Sequence, residues 1–307
     1  MNIEFTTDAV ASADGTVINY DQIGFGPGIV LLHGSMESAQ SHRGLARGLS
    51  GDFTIYLPER RGHHPGGAKD YSMQKEIEDL SALLTKTGAQ AVFGVSSGGL
   101  IGLQAALALP SIKKLALYEP ALIINDSVST AFLPRYEKEL AEGKIAEALV
   151  TAMKGAKLGP PVFNMIPRWL ITWLTKRALK KEDKDPCKGN VTMRMLAPTL
   201  HYDFQLIVEM AGTLSAYGMI NAEVLLLNGS KSPAWLRSAL EPLEKVLPNA
   251  RRMEFPGLDH GGSSDESSTN RGGQPELVAE VMSQFFSGKA KLGISLIKVS
   301  RFSKDFR

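Results

Sequence analysis

The sequence predicts an α/β fold: a mostly parallel eight-stranded sheet with helices on both faces and an inserted helical cap. Three observations predict it. Short continuous apolar runs, such as Ile29-Val30-Leu31-Leu32 and Val224-Leu225-Leu226-Leu227, have the character of strands buried on both faces. Helix-forming stretches alternate with them, which requires parallel strands joined by crossover helices. The alternation then pauses over residues 125–220, a block too long for a loop and mostly helical in pattern.

Taken in order, residues 2–23 alternate and break at Asp14-Gly15, a signal for two antiparallel strands. Gly24 to Gly28 turns the chain into the strand Ile29–Leu32, which ends at His33-Gly34-Ser35-Met36. Residues 38–49 form a short helix, and Phe53–Leu57 a strand ending in Pro58-Glu59-Arg60-Arg61-Gly62-His63-His64. From Ser72 to Thr87, Ile77, Leu80, Leu83 and Leu84 mark one helical face. Next, the strand Ala91–Val95 stops at Ser96 and a helix over Leu100–Leu109 follows; the strand Lys114–Tyr118 then delivers Glu119-Pro120 to its carboxyl end.

Helices within the insertion are expected at Thr130–Ala141, Lys144–Lys154, Pro167–Lys181 and His201–Ala211, divided by Gly155, Pro160-Pro161 and Lys184-Asp185-Pro186. Met165, Trp169 and Trp173 recur at i, i+4 and i+8, a face that either packs on the sheet or lines a substrate pocket. The sheet resumes at Val224–Leu227, a helix spans Ala234–Leu247, the last strand runs from Arg251 to Phe255, and a helix over Pro275–Phe286 closes the domain. The domains expected are a core of residues 1–124 and 221–287, a cap of 125–220, and a basic, disordered tail of 288–307 with a net charge of +5.

Composition narrows the function. A net charge of +2 over 307 residues, with no basic stripe interleaved with aromatics in the main body, argues against nucleic acid as partner. A single cysteine, Cys187, excludes an internal disulfide and a cysteine metal cluster. The amino terminus lacks an apolar leader and no stretch reaches membrane-span length, so a soluble, cytoplasmic protein is expected.

Gly94, Ser96 and Gly98 form G-x-S-x-G between strand and helix, the setting in which a serine hydroxyl is pushed out above a sheet. A serine nucleophile needs a base, and the histidines available are His33, His42, His63, His64, His201 and His260. With His33-Gly34-Ser35, Arg61-Gly62 and Gly257-Leu258-Asp259-His260-Gly261 each at a strand end, the chain resembles the α/β-hydrolase superfamily over residues 2–286. The resemblance implies Ser96 as nucleophile and His260 as base, leaving His33 structural.

For the acid, the family's usual position after the seventh strand is Ser232, which carries no charge. Some relatives, including one branch of haloalkane dehalogenases and the zearalenone-lactone hydrolases, take the acid from the end of the sixth strand. Glu119 stands there; Asp203, Asp259 and Asp265 are the other options. The resemblance places the oxyanion donors at the backbone N–H of Ser97 and that of Ser35, with Met36 next, each worth about 3–4 kcal/mol in the transition state. Glu59-Arg60-Arg61-Gly62 is expected to hold its loop near the elbow.

The function these residues imply is cofactor-free and metal-free hydrolysis of a small to medium apolar ester or lactone, with Trp169 and Trp173 as candidate substrate contacts. Serine at the elbow argues against dehalogenase and epoxide-hydrolase chemistry. Carbon–carbon bond hydrolase, lyase and cofactor-free peroxidase remain open on the same scaffold, as do a non-catalytic ligand receptor and an interaction protein working through its basic tail.

Overall fold

The computed structural model describes residues 4–63, 67–158, 163, 165–184, 191–267, 270–288 and 298–300. His64, Pro160-Pro161, Asp185-Pro186, Cys187 and most of the basic tail lie outside the described residues.

The first half follows the alternating pattern. Strands β1 (Thr6–Ala11), β2 (Val17–Gly24) and β3 (Gly28–Leu32) lead into a 3-10 turn at Ala39–His42 and helix α1 (Arg43–Leu49). Then come β4 (Thr54–Pro58), α2 (Met73–Thr87), β5 (Ala91–Val95), α3 (Ser96–Ala108) and β6 (Lys114–Tyr118). Ser72 caps α2 by accepting from the Lys75 N–H, and Gly88 ends it in the left-handed region.

The stretch between β6 and β7 is helical: α4 (Leu133–Ala141), α5 (Ile145–Gly155), α6 (Arg168–Lys184), the single turn α7 (Met193–Leu196) and α8 (Leu200–Glu209). The turn α7 has no counterpart among the expected elements, being too short to show a period. Strand β7 (Glu223–Gly229), α9 (Ala234–Val246), β8 (Ala250–Phe255) and α10 (Pro275–Phe286) complete the main body.

The eight strands lie in the order β1-β2-β4-β3-β5-β6-β7-β8, parallel from β4 to β8 and antiparallel at β1-β2 and β2-β4. A ninth strand, β9 (Lys298–Ser300), pairs antiparallel with β8. Without it β8 would be an edge with unpaired backbone groups, and three residues of extended chain meet them.

Alternate residues of the central strands feed two cores. Val30, Val92, Leu115, Leu117 and Leu226 face the side covered by α2, α3 and α9. Ile29, Leu31, Phe93, Ala116 and Leu227 face the side covered by α1 and α10. In the insertion, α8 packs on α3, the helix that begins at Ser96, while α4 and α6 pack on α5. The turns that carry chemistry therefore gather at the carboxyl ends of β3, β5, β6 and β8.

Candidate active site

Helix α3 starts at Ser96 directly after β5, with no loop between. The abrupt change of direction puts Ser96 at φ 55, a left-handed conformation unusual for a residue with a side chain. The flanking glycines are required by close backbone approach. A Cβ on Gly94 would stand 2.3 Å from the Gly98 carbonyl oxygen, and one on Gly98 2.5 Å from the carbonyl oxygens of Leu32 and His33. The turn presents Ser96 to a cavity of about 470 Å³ that His260, Ser35 and Met36 also line.

Sheet register aligns the other turns with this one. Gly94 is opposite Leu32 of β3, Val95 opposite Tyr118 of β6, and Tyr118 opposite Leu227 of β7. Ser96 and Glu119 thus stand one residue beyond paired positions of adjacent strands. Glu119 is 0% exposed and, at φ 48, also left-handed. Its Oε1 accepts the Gly229 N–H at 2.8 Å, and its Oε2 lies 2.6 Å from His260 Nδ1.

A carboxylate can only accept, so the shared proton belongs to His260 Nδ1 and the neutral ring keeps Nε2 as a proton acceptor. Burial opposes charging this imidazole. The hydrogen bond and charge of Glu119 outweigh burial and raise its pKa above the ordinary 6.5. The loop that carries the ring is pinned twice: the Tyr118 hydroxyl donates to the Asp259 carbonyl at 2.7 Å, and the Lys231 N–H to the Leu258 carbonyl at 2.9 Å.

The other carboxylates are engaged elsewhere. Asp259 is exposed and accepts the Gly261 N–H at 3.0 Å, while Asp265 accepts the Gly44 N–H in the first turn of α1. Asp203, on α8, is fully buried in a polar cluster beneath the elbow. It accepts the Ser97 hydroxyl at 2.7 Å and Arg60 Nη1 at 3.1 Å, and stands 3.3 Å from His63 Nε2. Burial would raise its pKa, but His63 and Arg60 hold it below the usual carboxylate range. Arg60 also binds Glu76, Tyr71 and the His33 carbonyl, so this side chain ties the β4 loop to the elbow and to the insertion. His33 is buried, with burial first and then the nearby His63 and Arg60 depressing its pKa, as suits a neutral structural ring. Ser232 is buried and its hydroxyl has no partner among the described residues.

Opposite the elbow, the turn after β3 brings Met36 to φ 59, with the Gly34 N–H donating to Glu37 Oε2 at 2.7 Å and Ser264 Oγ to the other oxygen. The Ser35 hydroxyl donates to that of Ser97 at 3.4 Å, which sets the two turns side by side. Ser97 sits in the first turn of α3, where an N–H has no acceptor within its own helix and shares the positive end of the dipole. Such an arrangement can hold an anionic oxygen between two backbone turns.

Trp169 and Trp173 do not line this cavity. They are 71% and 48% exposed, on the outer side of α6, and the Arg177 guanidinium lies 4.8 Å from the Trp173 ring centroid. At 100° per residue, Thr175 lies on the opposite side of the helix from Trp173, and it is Thr175 and Ala178 that reach the cavity. Spacing identified a helical face without saying which way it turns. The aromatic wall comes from Phe132, Phe204 and Trp235, joined by the aliphatic Leu149 and Leu200. Trp235 had a signal in the sequence, standing two residues past Pro233 where α9 begins after β7.

Among the described residues, no three His, Cys, Asp or Glu side chains are grouped to hold a metal ion, and no helix is long and apolar enough to cross a membrane.

Comparison with known proteins agrees with this architecture. The profile of the Alpha/beta hydrolase family matches residues 29–281. An uncharacterized hydrolase, YraK of Bacillus subtilis, is 33% identical over 116 residues, 36% of this chain and 43% of that protein, so the matched stretch spans less than half of that relative. A pimeloyl-[acyl-carrier protein] methyl ester esterase of Nitrosomonas europaea is 21% identical over 256 residues, 79% of this chain and 92% of that one. The crystal structure of an alpha/beta hydrolase from Sphaerobacter thermophilus superposes with a TM-score of 0.71 at 28% identity, covering 91% of this chain and all of the other.

Proposed function

This chain belongs to the alpha/beta hydrolase family, and within it we propose a cofactor-free serine hydrolase that cleaves a carboxylic ester or lactone with a small to medium apolar acyl part. The observation that carries the proposal is the 2.6 Å contact between Glu119 and His260 on the wall of the cavity that holds Ser96. The methyl ester esterase among the relatives is consistent with ester chemistry.

In the proposed reaction Ser96 Oγ attacks the carbonyl carbon while its proton passes to His260 Nε2. The N–H groups of Ser97 and Ser35, with Met36 beside them, hold the oxyanion. The carbon–oxygen bond to the alcohol breaks as His260 returns the proton to the leaving oxygen. Water, giving a proton to His260, then attacks the acyl-serine; the acid leaves and the proton goes back to Ser96 Oγ. Glu119 fixes the tautomer of the ring and stabilises its charged form.

A cavity of about 470 Å³ with an apolar lining fits an acyl group of a few to about ten carbons better than a polymer. The test is hydrolysis of 4-nitrophenyl butyrate by the full chain and by Ser96→Ala. Turnover that disappears in the variant supports the proposal. A wild type that binds the ester without cleaving it supports a receptor instead.

A further inference from the structure

A second and larger cleft, about 1150 Å³, shares Ser35, Met36, Leu158, Met193, Trp235 and His260 with the apolar cavity. The two spaces therefore meet over His260. They differ in chemistry: the cleft is walled by the turn after β7 and the start of α9, with Ser230, Lys231, Ser232 and Arg237, and by Lys157 from beyond α5.

Two features of this wall suit an anion. Lys157, Lys231 and Arg237 form no ion pair with a carboxylate among the described residues; Arg237 uses Nε on the Ser232 carbonyl at 3.1 Å, and Lys157 donates to the Ser127 carbonyl at 3.3 Å. Two carboxylates also line the cleft: Glu37 accepts from the Gly34 N–H and the Ser264 hydroxyl, and Asp259 accepts from the Gly261 N–H. Helix α9, 13 residues long, opens here with no side-chain cap over its first N–H groups. Three cations without a carboxylate partner among the described residues, beside an uncapped helix start, give this wall a positive potential that suits an anion.

We propose that this cleft is a subsite for an oxyanionic group, phosphate or carboxylate, carried on the alcohol arm of the ester. The proposal rests on the hydrolase reading above and adds the class of substrate: an amphiphile with an apolar acyl arm and an anionic leaving arm. The orientation follows from the lining. Ser96 borders only the apolar cavity, so the acyl group bonded to it extends there. His260, which protonates the leaving oxygen, borders both spaces, and the alcohol departs across it into the cleft.

The test compares kcat/KM for 4-butyryloxyphenyl phosphate and 4-butyryloxybenzoate with that for neutral methyl 4-butyryloxybenzoate. One charge-assisted hydrogen bond corresponds to at least about a tenfold preference, so one or both anionic esters should exceed the neutral one by that factor; the stronger of the two identifies the anion. The preference should shrink about tenfold in Arg237→Ala and in Lys231→Ala, return in part in Arg237→Lys, and fall with added salt. A ratio at or below one in the wild type overturns the proposal, as does a ratio unchanged in both alanine variants. A preference for mono-4-nitrophenyl glutarate over 4-nitrophenyl butyrate would put the anion on the acyl arm and overturn the orientation.

Calorimetric binding of phenyl phosphate and of benzoate to Ser96→Ala separates this inference from the hydrolase reading. Binding of either that weakens about tenfold in the Ser96→Ala/Arg237→Ala double variant supports the subsite even if none of the esters is turned over. No binding of either overturns it even if all are.

Discussion

The carboxylate of Glu119 reaches the imidazole of His260 across an intervening strand. Glu119 follows β6 and His260 follows β8, with β7 between them, and Glu119 Oε1 takes the N–H of Gly229 at the end of β7 while Oε2 meets His260 Nδ1 at 2.6 Å. One oxygen braces the carboxylate and the other aims the ring. The residue that would supply the acid from β7 itself, Ser232, has no charge to offer.

Replacing Glu119 with Gln should therefore lower kcat for ester hydrolysis strongly, up to about 10⁴-fold, with the fold intact by circular dichroism. Glu119→Asp keeps the charge but is one methylene short of the ring, and its rate should fall between the two. A Glu119→Gln rate within a few-fold of wild type would move the acid role elsewhere.

The pH dependence has a fixed sign. The Glu119 contact raises the pKa of His260 above 6.5, and a protonated ring cannot take the Ser96 proton. So kcat/KM should be level in mildly alkaline solution and fall as pH drops through an apparent pKa above 6.5. In Glu119→Gln burial is opposed only by the charges of Glu37 and Asp259, and the acid limb should move to lower pH. The linked stability term runs the opposite way: a raised histidine pKa contributes stability fully present below the unfolded value and lost as pH rises through the folded one.

Asp203 separates structure from chemistry. Its carboxylate is buried against Arg60, His63 and the Ser97 hydroxyl. Asp203→Asn should lower unfolding stability by about 3–5 kcal/mol, the usual cost of leaving a buried charge partner uncompensated, and so lower Tm. The position of the acid limb of kcat/KM should stay within a few tenths of a pH unit, because the Glu119–His260 contact is untouched. An acid limb that moves as in Glu119→Gln would identify Asp203 as the acid.

The cavity sets acyl length. Ala152, buried on α5, borders the space together with Leu149 and Phe204. Ala152→Phe should leave 4-nitrophenyl acetate hydrolysis within about threefold of wild type while reducing kcat/KM for the octanoate by at least tenfold, a loss of about 1.4 kcal/mol of binding in the transition state. Equal effects on both esters would place the acyl group elsewhere.

The sheet was legible because its strands are short apolar runs between turn residues, and the turns at Ser96, Glu119 and His260 could be placed from the strands they follow. What lies between distant residues was not. Arg60 and Asp203 are 143 positions apart and nothing in either neighbourhood marks the pair. The pattern Met165, Trp169, Trp173 was visible, but its direction depends on the small side chains of Thr175 and Ala178 turning inward, which periodicity does not encode. The pairing of Lys298–Ser300 with β8 depends on an edge that exists only once the sheet has formed.

The most direct test of the account is covalent labelling of the full chain with a fluorophosphonate, followed by peptide mass mapping. The account predicts one adduct per chain, on the peptide that contains Ser96, absent in Ser96→Ala and slowed strongly in Glu119→Gln. An adduct on another residue, or labelling undiminished in Ser96→Ala, would contradict it.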